Sequence, residues 1–340
     1  MKEAMYWKKA DGGKVRCGLC NHGCVVAEGK RGICGVRVNR EGKLYSMVYG
    51  KPSSACLDPI EKKPLYNFHP GSEVFSYGTL GCNFRCAFCQ NYSISQTHPK
   101  DDGSLGAGLR NTEITPAQAV QAALDSGGHG IAWTYNEPTI WYEFNLEASK
   151  MAKKKGLYTV YVTNGYIAPE PLKELAPYMD AMNIDVKAFT DEFYKKTCGA
   201  RLEPVLRTCE TAMKLGIHVE LTTLLIPGEN DSKEELDKLT KWVHDGCGAN
   251  TPLHFSRYHP DYKYEKPATS EKSLLQAYKI AKNAGLEHVY VGNVYHADYM
   301  DTYCPKCNAR VIERTSMFFS SNRLKDGKCA QCGYQVLKHF

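Results

Sequence analysis

The chain has no long apolar run of the kind that secreted and membrane proteins carry. Its N-terminal stretch MKEAMYWKKADGGKVRCGLC lacks the apolar core that a secretory signal requires. No apolar run elsewhere is long enough to cross a bilayer, and no internal repeat or low-complexity tract stands out. The sequence therefore predicts a cytoplasmic protein without a membrane partner.

The chain also has little excess charge. Its 340 residues include 43 Lys and Arg against 37 Asp and Glu, which gives a formal net charge of +6. A mildly basic surface permits a nucleic-acid partner or an acidic protein partner without requiring either. Nucleic-acid binding is thus possible but not favoured, and the length suits one large domain with small attachments.

Cysteine, in contrast, is abundant, with 15 copies. Disulfides are rare in the cytoplasm, so clustered cysteines indicate metal binding there. The segment GCNFRCAFCQ holds only three of them, Cys82, Cys86 and Cys89, in a C-x3-C-x2-C pattern. A tetrahedral zinc site and a closed cubane each need four ligands, so three thiolates would leave one iron of a four-iron cluster open for a substrate or cofactor. A zinc site that borrows His98 is the alternative.

Short apolar segments alternate with amphipathic segments from about residue 74 to 294. Thr115 and Pro116 predict the start of one helix, and Asp231 or Ser232 the start of another. Repeated β–α alternation predicts either a parallel barrel or an open doubly wound sheet. Polar motifs follow several strands, where a parallel barrel carries its reactive residues, and this placement indicates an enzyme. The predicted strands lie in EVFSYGTLG, GIAWTY, LYTVYVTNG, AMNIDVK, IHVELTTLLIPG, PLHFSRY and HVYVGNV.

The three-cysteine motif just after the first strand of this array resembles that of the radical S-adenosylmethionine (SAM) superfamily. The resemblance covers roughly residues 74–294 and implies an α/β fold with a partial (β/α)6 TIM-like barrel. It also implies that Cys82, Cys86 and Cys89 hold a [4Fe–4S] cluster whose open iron binds SAM. Electron transfer into the sulfonium would then release methionine and a 5′-deoxyadenosyl radical that abstracts a hydrogen atom.

Motifs at the ends of later strands resemble those of proteins similar to pyruvate formate-lyase activating enzyme. In TYNEPT, Glu137 would receive the ammonium of SAM, although an acid at a helix start is common without this role. In VTNG, Asn164 would bond the ribose or the methionyl part of SAM. In IDVK, Lys187 would pair with the SAM carboxylate while Asp185 orients it, and an ordinary ion pair is the alternative. Val162 replaces the aspartate that the activating enzymes carry, so the resemblance does not extend to a cation site there.

Two further residues belong to the cofactor site that the resemblance implies. His259 in SRYHP resembles a histidine that lies near the nucleoside. Phe88, between the cluster cysteines, would cover the cluster and pack against adenine. The alternative for Phe88 is simple apolar cover that limits solvent access.

A second group of cysteines lies near the N-terminus, in CGLCNHGC and GKRGICGVR. Cys17, Cys20, Cys24 and Cys34 are four potential ligands, here called the N-terminal cysteine set, and His22 could replace one thiolate. The neighbouring glycines allow the tight turns that a metal loop needs. The sequence leaves two alternatives open, a structural zinc site and an auxiliary iron–sulfur cluster.

A third group lies near the C-terminus, in CPKC and CAQC. Cys304, Cys307, Cys329 and Cys332, here called the C-terminal cysteine set, form two C-x2-C pairs, which is a strong signal for a site of four thiolates. Their separation predicts a zinc ribbon or a rubredoxin-like iron site, with zinc favoured.

The whole arrangement closely resembles the radical SAM proteins of the AmmeMemoRadiSam system, including the stretch DPIEKKPLYNFHPGS. The predicted units are a Cys-rich N-terminal metal-binding segment (1–72), a radical SAM core (73–298) and a zinc-ribbon or rubredoxin-like module (299–340). Residues 98–111, rich in Gly and Asp, predict a loop over the site.

The resemblance implies an enzyme supplied with electrons by a donor of flavodoxin or ferredoxin type. The leading hypothesis is an activase that takes a hydrogen atom from a glycine of a protein substrate. An RNA-modifying enzyme, suggested by the ribbon-like tail and the positive charge, is one alternative. A non-enzymatic metal-binding or redox-sensing protein is the other.

Overall fold

The computed structural model describes residues 1–101, 103–104, 112–294, 297–315 and 318–340. Most of the loop predicted at 98–111 lies outside these residues. No helix in the described part of the chain combines the length and the apolar character needed to cross a membrane.

Three groups of strands follow one another along the chain. The N-terminal strands are β1 (Lys2–Glu3), β2 (Trp7–Lys9), β3 (Val15–Cys17), β4 (Val25–Val26), β5 (Arg37–Arg40) and β6 (Lys43–Ser46). The central strands are β7 (Ser54–Pro59), β8 (Glu73–Gly78), β9 (Gly130–Trp133), β10 (Tyr158–Thr163), β11 (Ala181–Asp185), β12 (His218–Leu225), β13 (Leu253–Arg257) and β14 (Val289–Gly292). The C-terminal strands are β15 (Thr302–Tyr303), β16 (Arg310–Thr315), β17 (Phe318–Asn322), β18 (Leu324–Lys325) and β19 (Lys328–Cys329).

Helices connect the central strands. They are α1 (Tyr92–Ser95), α2 (Pro116–Asp125), α3 (Tyr142–Lys154), α4 (Pro169–Leu175), α5 (Asp191–Phe193), α6 (Leu202–Lys214), α7 (Lys233–Trp242) and α8 (Glu271–Asn283). Each step from β8 to β14 contains one of the longer helices, α2, α3, α4, α6, α7 or α8, so six strand–helix units are followed by a last strand.

The central strands form an eight-stranded sheet within the described residues, in the order β14-β13-β12-β11-β10-β9-β8-β7. Neighbours from β8 to β14 are parallel, and only β7 runs antiparallel, against β8. Since β7 and β14 are the two edges, the sheet is open. The α/β fold with a partial (β/α)6 barrel is therefore confirmed, and all seven predicted strands are present.

Local sequence signals explain where the helices begin. Thr115 and Gln118 form a reciprocal capping box at the start of α2, with Pro116 at the first helical position, as predicted. At α7, the Ser232 hydroxyl accepts the Glu235 amide at 3.2 Å, so Ser232 is the cap.

The N-terminal segment shares the core of the barrel. Leu19, Val36 and Leu44 are buried in the same hydrophobic cluster as Trp133 of β9. In contrast, the strands that carry the C-terminal cysteine set surround a separate small cluster that contains Val311. The N-terminal segment is thus packed directly against the barrel.

Candidate functional site

A cavity of about 650 Å³ lies at the carboxyl ends of the parallel strands. Parallel strands deliver the residues that follow them to one edge of the sheet, which is the usual place for an active site in this kind of fold. The predicted site residues that line this central cavity are Cys82, Cys86, Phe88, Cys89, Glu137, Asn164, Asp185 and Lys187.

The cysteine loop, residues 81–90, follows β8. The Cys82 sulfur accepts the Phe84 amide at 3.3 Å, and the Cys89 sulfur lies 3.1 Å from the Ser95 hydroxyl. A hydrogen bond from the buried Cys198 thiol, with help from the Lys187 ammonium, lowers the pKa of Cys86. Hydrogen bonds and a nearby cation thus favour the thiolate form at Cys86, which is the form that binds iron.

The three sulfurs of the cysteine loop do not all lie within 4.8 Å of one another. Within the described residues, the C-terminal cysteine set is the only group of three or more potential ligands whose atoms all lie within 4.8 Å of one another. A cubane holds each thiolate on a different iron, so wider spacing suits it. His98 instead packs against Gly35. Its ring lies so close that a Cβ added to Gly35 would be 2.2 Å from the His98 Nδ1. The donor set therefore fits a four-iron cluster better than a zinc ion bound with His98.

Glu137 is buried and holds two strand ends together. Its Oε1 accepts the Thr139 amide at 2.9 Å and the Thr163 hydroxyl at 2.8 Å, while its Oε2 accepts the Asn164 amide at 2.8 Å. Burial raises the pKa of Glu137, and these donors oppose that shift. A carboxylate has about four acceptor sites, so one direction remains for a ligand such as an ammonium group.

Two asparagines connect these strand ends to the cysteine loop. The Asn164 Nδ2 donates to the Asn83 Oδ1 at 2.7 Å. Asn136 accepts the Thr79 amide at 3.1 Å and donates from Nδ2 to the Gly81 carbonyl at 2.7 Å. Asn136 was not predicted as a site residue, although it lies within TYNEPT. The cysteine loop is therefore held in place by residues from β9 and β10.

Asp185 and Lys187 form an ion pair on the same wall, with Lys187 Nζ 2.8 Å from Asp185 Oδ2. Burial disfavours the ammonium, but the Asp185 carboxylate together with the charges of Cys86 and Cys198 outweighs burial and holds the pKa of Lys187 well above its ordinary value. Lys187 Nζ also lies 5.9 Å from the centre of the Phe88 ring. A permanent cation therefore lies beside the cysteine loop.

His259 lies outside the group that the structure brings together. Its side chain is 58% exposed. In the described part of the chain, Gln90 lines the central cavity and His259 does not, although the Gln90 side-chain amide donates to His259 Nδ1 at 3.1 Å. His259 is thus a neighbour of the cavity wall, linked to it through one glutamine.

A cationic patch that was not predicted from the sequence also lines the central cavity. Lys62 and Lys63 pair with Asp58 at 2.8 and 2.7 Å, and the Tyr135 hydroxyl donates to Asp58 at 2.5 Å. Tyr135 adopts a φ of +71°, a conformation that non-glycine residues rarely hold except where the surroundings impose it. Asp58, Lys62 and Lys63 lie in the stretch DPIEKKP. This stretch contributed to the family resemblance, but no function was predicted for its residues.

Lys63 provides a pH test of this patch. Burial lowers its pKa from 10.5 to about 8, against the effect of Asp58. Between about pH 8 and pH 10.5, Lys63 keeps its proton in the unfolded chain and loses it in the folded chain. The free energy of unfolding contributed by this group therefore rises with pH. We expect the free energy of unfolding of the wild type, minus that of Lys63→Met, to rise by up to about 3 kcal/mol across this range.

Urea unfolding at a series of pH values measures that difference. Lys62→Met is the matched control, because it also removes an ammonium paired with Asp58, but from a side chain that is 45% exposed, and it keeps the buried Lys63. An identical pH dependence for the wild type and Lys63→Met would contradict the assignment.

Gly81 begins the cysteine loop with a φ of +89° and no room for a side chain. A Cβ there would lie 2.6 Å from Val36 Cγ1 and 2.7 Å from the Cys34 carbonyl. Gly81→Ala should therefore lower the free energy of unfolding by about 2 kcal/mol through strain and overpacking together. Gly216→Ala is the control, since Gly216 has a φ of +85° with no atom within 4 Å of a Cβ. It should lose about 1 kcal/mol, and equal losses in urea unfolding would contradict the close contact.

The N-terminal cysteine set surrounds a second, smaller cavity. All four of its cysteines line it, together with His22. Burial raises the pKa of Cys20, and the charges of the other three cysteines add to that shift. The four thiols are therefore neighbours in one site, as a common metal centre requires.

The C-terminal cysteine set is compact. Its sulfurs lie within 4.8 Å of one another, with Cys304 and Cys332 3.5 Å apart and Cys307 and Cys329 3.7 Å apart. Although burial opposes ionisation, the amides of Cys332 and Gln331 help lower the pKa of Cys329 to about 7. Four sulfurs at about 2.3 Å from one zinc ion lie about 3.8 Å from each other, so this set matches a zinc-ribbon-like module.

Comparison with known proteins gives these features a family. Residues 76–240 match the family described as the Radical SAM superfamily. The chain is 48% identical to the protein named Uncharacterized protein MJ0808 from Methanocaldococcus jannaschii, covering 99% of both chains. It is 25% identical to Pyruvate formate-lyase 1-activating enzyme from Escherichia coli K12, covering 62% of this chain and 83% of that relative.

A solved structure agrees on the fold. The structure of SuiB from Streptococcus suis bound to S-adenosylmethionine superimposes with a TM-score of 0.51 at 12% identity, covering 64% of this chain and 49% of that one. At this identity the likeness shows the fold alone. Together with the three-cysteine loop at the carboxyl edge of the sheet, the sequence matches show that residues 76–240 carry a radical SAM domain and that the chain is an enzyme of reductive SAM cleavage, for which this family uses a [4Fe–4S] cluster.

Proposed function

We propose that the chain is an activase, which uses the radical made from SAM to take a hydrogen atom from a glycine of a protein substrate. The similarity to pyruvate formate-lyase 1-activating enzyme carries this proposal. The arrangement of Glu137, Asn164 and Lys187 supports it, because these residues line one cavity with the cysteine loop and stand in the motifs that resemble those of the activating enzymes. The non-enzymatic alternative is set aside, since the family match makes the chain an enzyme.

The chemistry needs one electron and one hydrogen atom per turnover. Cys82, Cys86 and Cys89 would hold the cluster, which when bound would supply one electron to the sulfonium of SAM, so that its carbon–sulfur bond would break to give methionine and a 5′-deoxyadenosyl radical. Abstraction from a glycine Cα then yields 5′-deoxyadenosine and a glycyl radical. A low-potential flavodoxin or ferredoxin would supply the electron.

The residues of this chain would hold SAM by its charged ends. The remaining acceptor direction of Glu137 suits the ammonium, and Lys187, kept charged by Asp185, suits the carboxylate. Phe88 offers an apolar face beside Lys187, and His259 would approach only from outside the cavity wall. Zinc is the proposed occupant of the C-terminal cysteine set, and membership of the AmmeMemoRadiSam system stays a prediction.

A labelling experiment tests the substrate class. Extract from the source organism, grown with glycine deuterated at Cα, is separated into protein, RNA and small-molecule fractions. Each fraction is mixed anaerobically with the reconstituted enzyme, SAM and dithionite. The proposal expects deuterium in the 5′-deoxyadenosine made with the protein fraction, and a persistent radical signal on a protein by electron paramagnetic resonance (EPR).

The same experiment separates the alternatives. The RNA-modifying hypothesis, which rests on the net charge of +6, predicts hydrogen transfer from the RNA fraction. Cleavage of SAM with label arriving only from the RNA or small-molecule fraction would refute the activase proposal and leave the radical chemistry intact.

A further inference from the structure

The N-terminal cysteine set lies directly against the cysteine loop of the SAM site. His22 Nε2 donates to the Asn83 carbonyl at 2.8 Å, and Asn83 also lines the N-terminal cavity. A second contact joins Gly81 of the cysteine loop to the Cys34 carbonyl. The two are so close that a Cβ added to Gly81 would lie 2.7 Å from the carbonyl oxygen. Two separate contacts therefore place residues of one cysteine site beside residues of the other, with Asn83 buried between them.

The spacing of the sulfurs distinguishes two kinds of metal site in this chain. In the described residues, only the C-terminal cysteine set brings its ligand atoms within 4.8 Å of one another, as one zinc ion requires. The N-terminal cysteine set does not meet that spacing, and neither do the three cysteines of the cysteine loop. The N-terminal set is thus spaced more widely than the C-terminal set, as the cysteine loop also is.

The surroundings of the N-terminal set favour a buried, electron-carrying group. Arg37 is 1% exposed, lies 3.5 Å from the Cys17 sulfur through its Nη1, and is ion-paired with Glu143 of α3. Leu19 and Ile140 supply apolar lining. A buried cation and an apolar shell are the features by which proteins stabilise ionised thiolates and adjust the potential of a cluster.

We propose that Cys17, Cys20, Cys24 and Cys34 bind a second, closed [4Fe–4S] cluster that passes single electrons to the SAM-binding cluster. An external flavodoxin or ferredoxin reduces the N-terminal cluster by one electron, and that electron then moves to the cluster on the cysteine loop. No bond to the closed cluster forms or breaks, because four thiolates occupy all four irons. The occupancy of this site does not depend on the activase proposal, while the relay depends only on the radical SAM chemistry.

Metal analysis of a variant without the cysteine loop ligands tests the occupancy. The variant Cys82→Ala/Cys86→Ala/Cys89→Ala keeps both flanking sets. After anaerobic reconstitution we expect about four acid-labile sulfides per chain and the EPR signal of a reduced four-iron cluster. Absence of labile sulfide together with about two zinc ions per chain would overturn the proposal.

The wild-type protein provides the same test if that variant does not fold, as judged by circular dichroism. It should hold about eight labile sulfides and show two cluster signals after reduction, of which added SAM perturbs only one. A single signal, with about four sulfides, would overturn the proposal.

The relay has its own readout. In Cys20→Ala/Cys24→Ala, the EPR signal that responds to SAM should appear at least about tenfold more slowly than in the wild type after mixing with reduced flavodoxin. Dithionite is a small reductant that reaches clusters directly. With dithionite, the same variant should show a much smaller delay in the appearance of this signal than with flavodoxin. Cys209→Ala, a buried cysteine on α6, is the matched control and should match the wild type with both reductants. Equal slowing with flavodoxin and dithionite would exclude the relay.

Discussion

Replacing Cys86 by alanine should lower the formation of 5′-deoxyadenosine by at least about 1,000-fold, the largest effect that we expect from a single substitution. Cys86 is buried in the central cavity, and both the Cys198 thiol and the Lys187 ammonium favour its thiolate. Its loss leaves two thiolates for a cluster that needs three, so the reductive cleavage of SAM has no electron source. The assay is anaerobic turnover with SAM and dithionite, with the product measured by mass spectrometry.

Two controls make this result specific. Cys209→Ala removes an equally buried thiol on α6 and should leave turnover at the wild-type level. Cys198→Ala removes the hydrogen bond to Cys86 without removing a ligand, and it should lower turnover much less than Cys86→Ala does. Turnover of Cys86→Ala within about tenfold of the wild type would show that the cysteine loop does not hold the reacting cluster.

Glu137→Ala should lower the free energy of unfolding by about 4 kcal/mol, because it leaves three donors at the ends of two strands without their acceptor. Two of these donors are the buried Thr163 hydroxyl and the Asn164 amide, 26 and 27 residues away along the chain. The affinity for SAM should fall as well, since Glu137 also faces the central cavity. Urea unfolding measures the first effect, and calorimetric titration of the reconstituted enzyme with SAM measures the second.

Glu137→Gln separates the two roles. The amide keeps one oxygen acceptor and the shape of the side chain, so it should recover part of the stability. It presents no negative charge to an ammonium group, so the affinity for SAM should stay low. Full recovery of both properties in Glu137→Gln would assign Glu137 to structure alone.

The sequence alone determined the features that depend on neighbouring residues. Thr115 and Pro116 defined the start of α2, because capping involves residues three positions apart. Apolar segments predicted the seven parallel strands, because a strand covered on both faces must be apolar throughout. The C-x3-C-x2-C and C-x2-C patterns identified metal sites, because closely spaced thiolates have few other uses in a reducing compartment.

Other features were decided by contacts between distant segments. Asp58 meets Tyr135 across 77 residues, and His22 meets Asn83 across 61. No local pattern encodes such pairs, since they arise only when the sheet brings its strand ends to one edge. The place of His259, which the resemblance puts near the nucleoside, also depends on such contacts, and its side chain is 58% exposed.

The three cysteine sites show the same division. The sequence supplied the number of thiols at each site and hence the open coordination position on the cysteine loop. Only the tertiary structure showed that the C-terminal cysteine set is spaced for one ion, and that the N-terminal set is spaced more widely and packs against the cysteine loop. Ligand count follows from composition, but the distance between ligands follows from how the backbone folds around them.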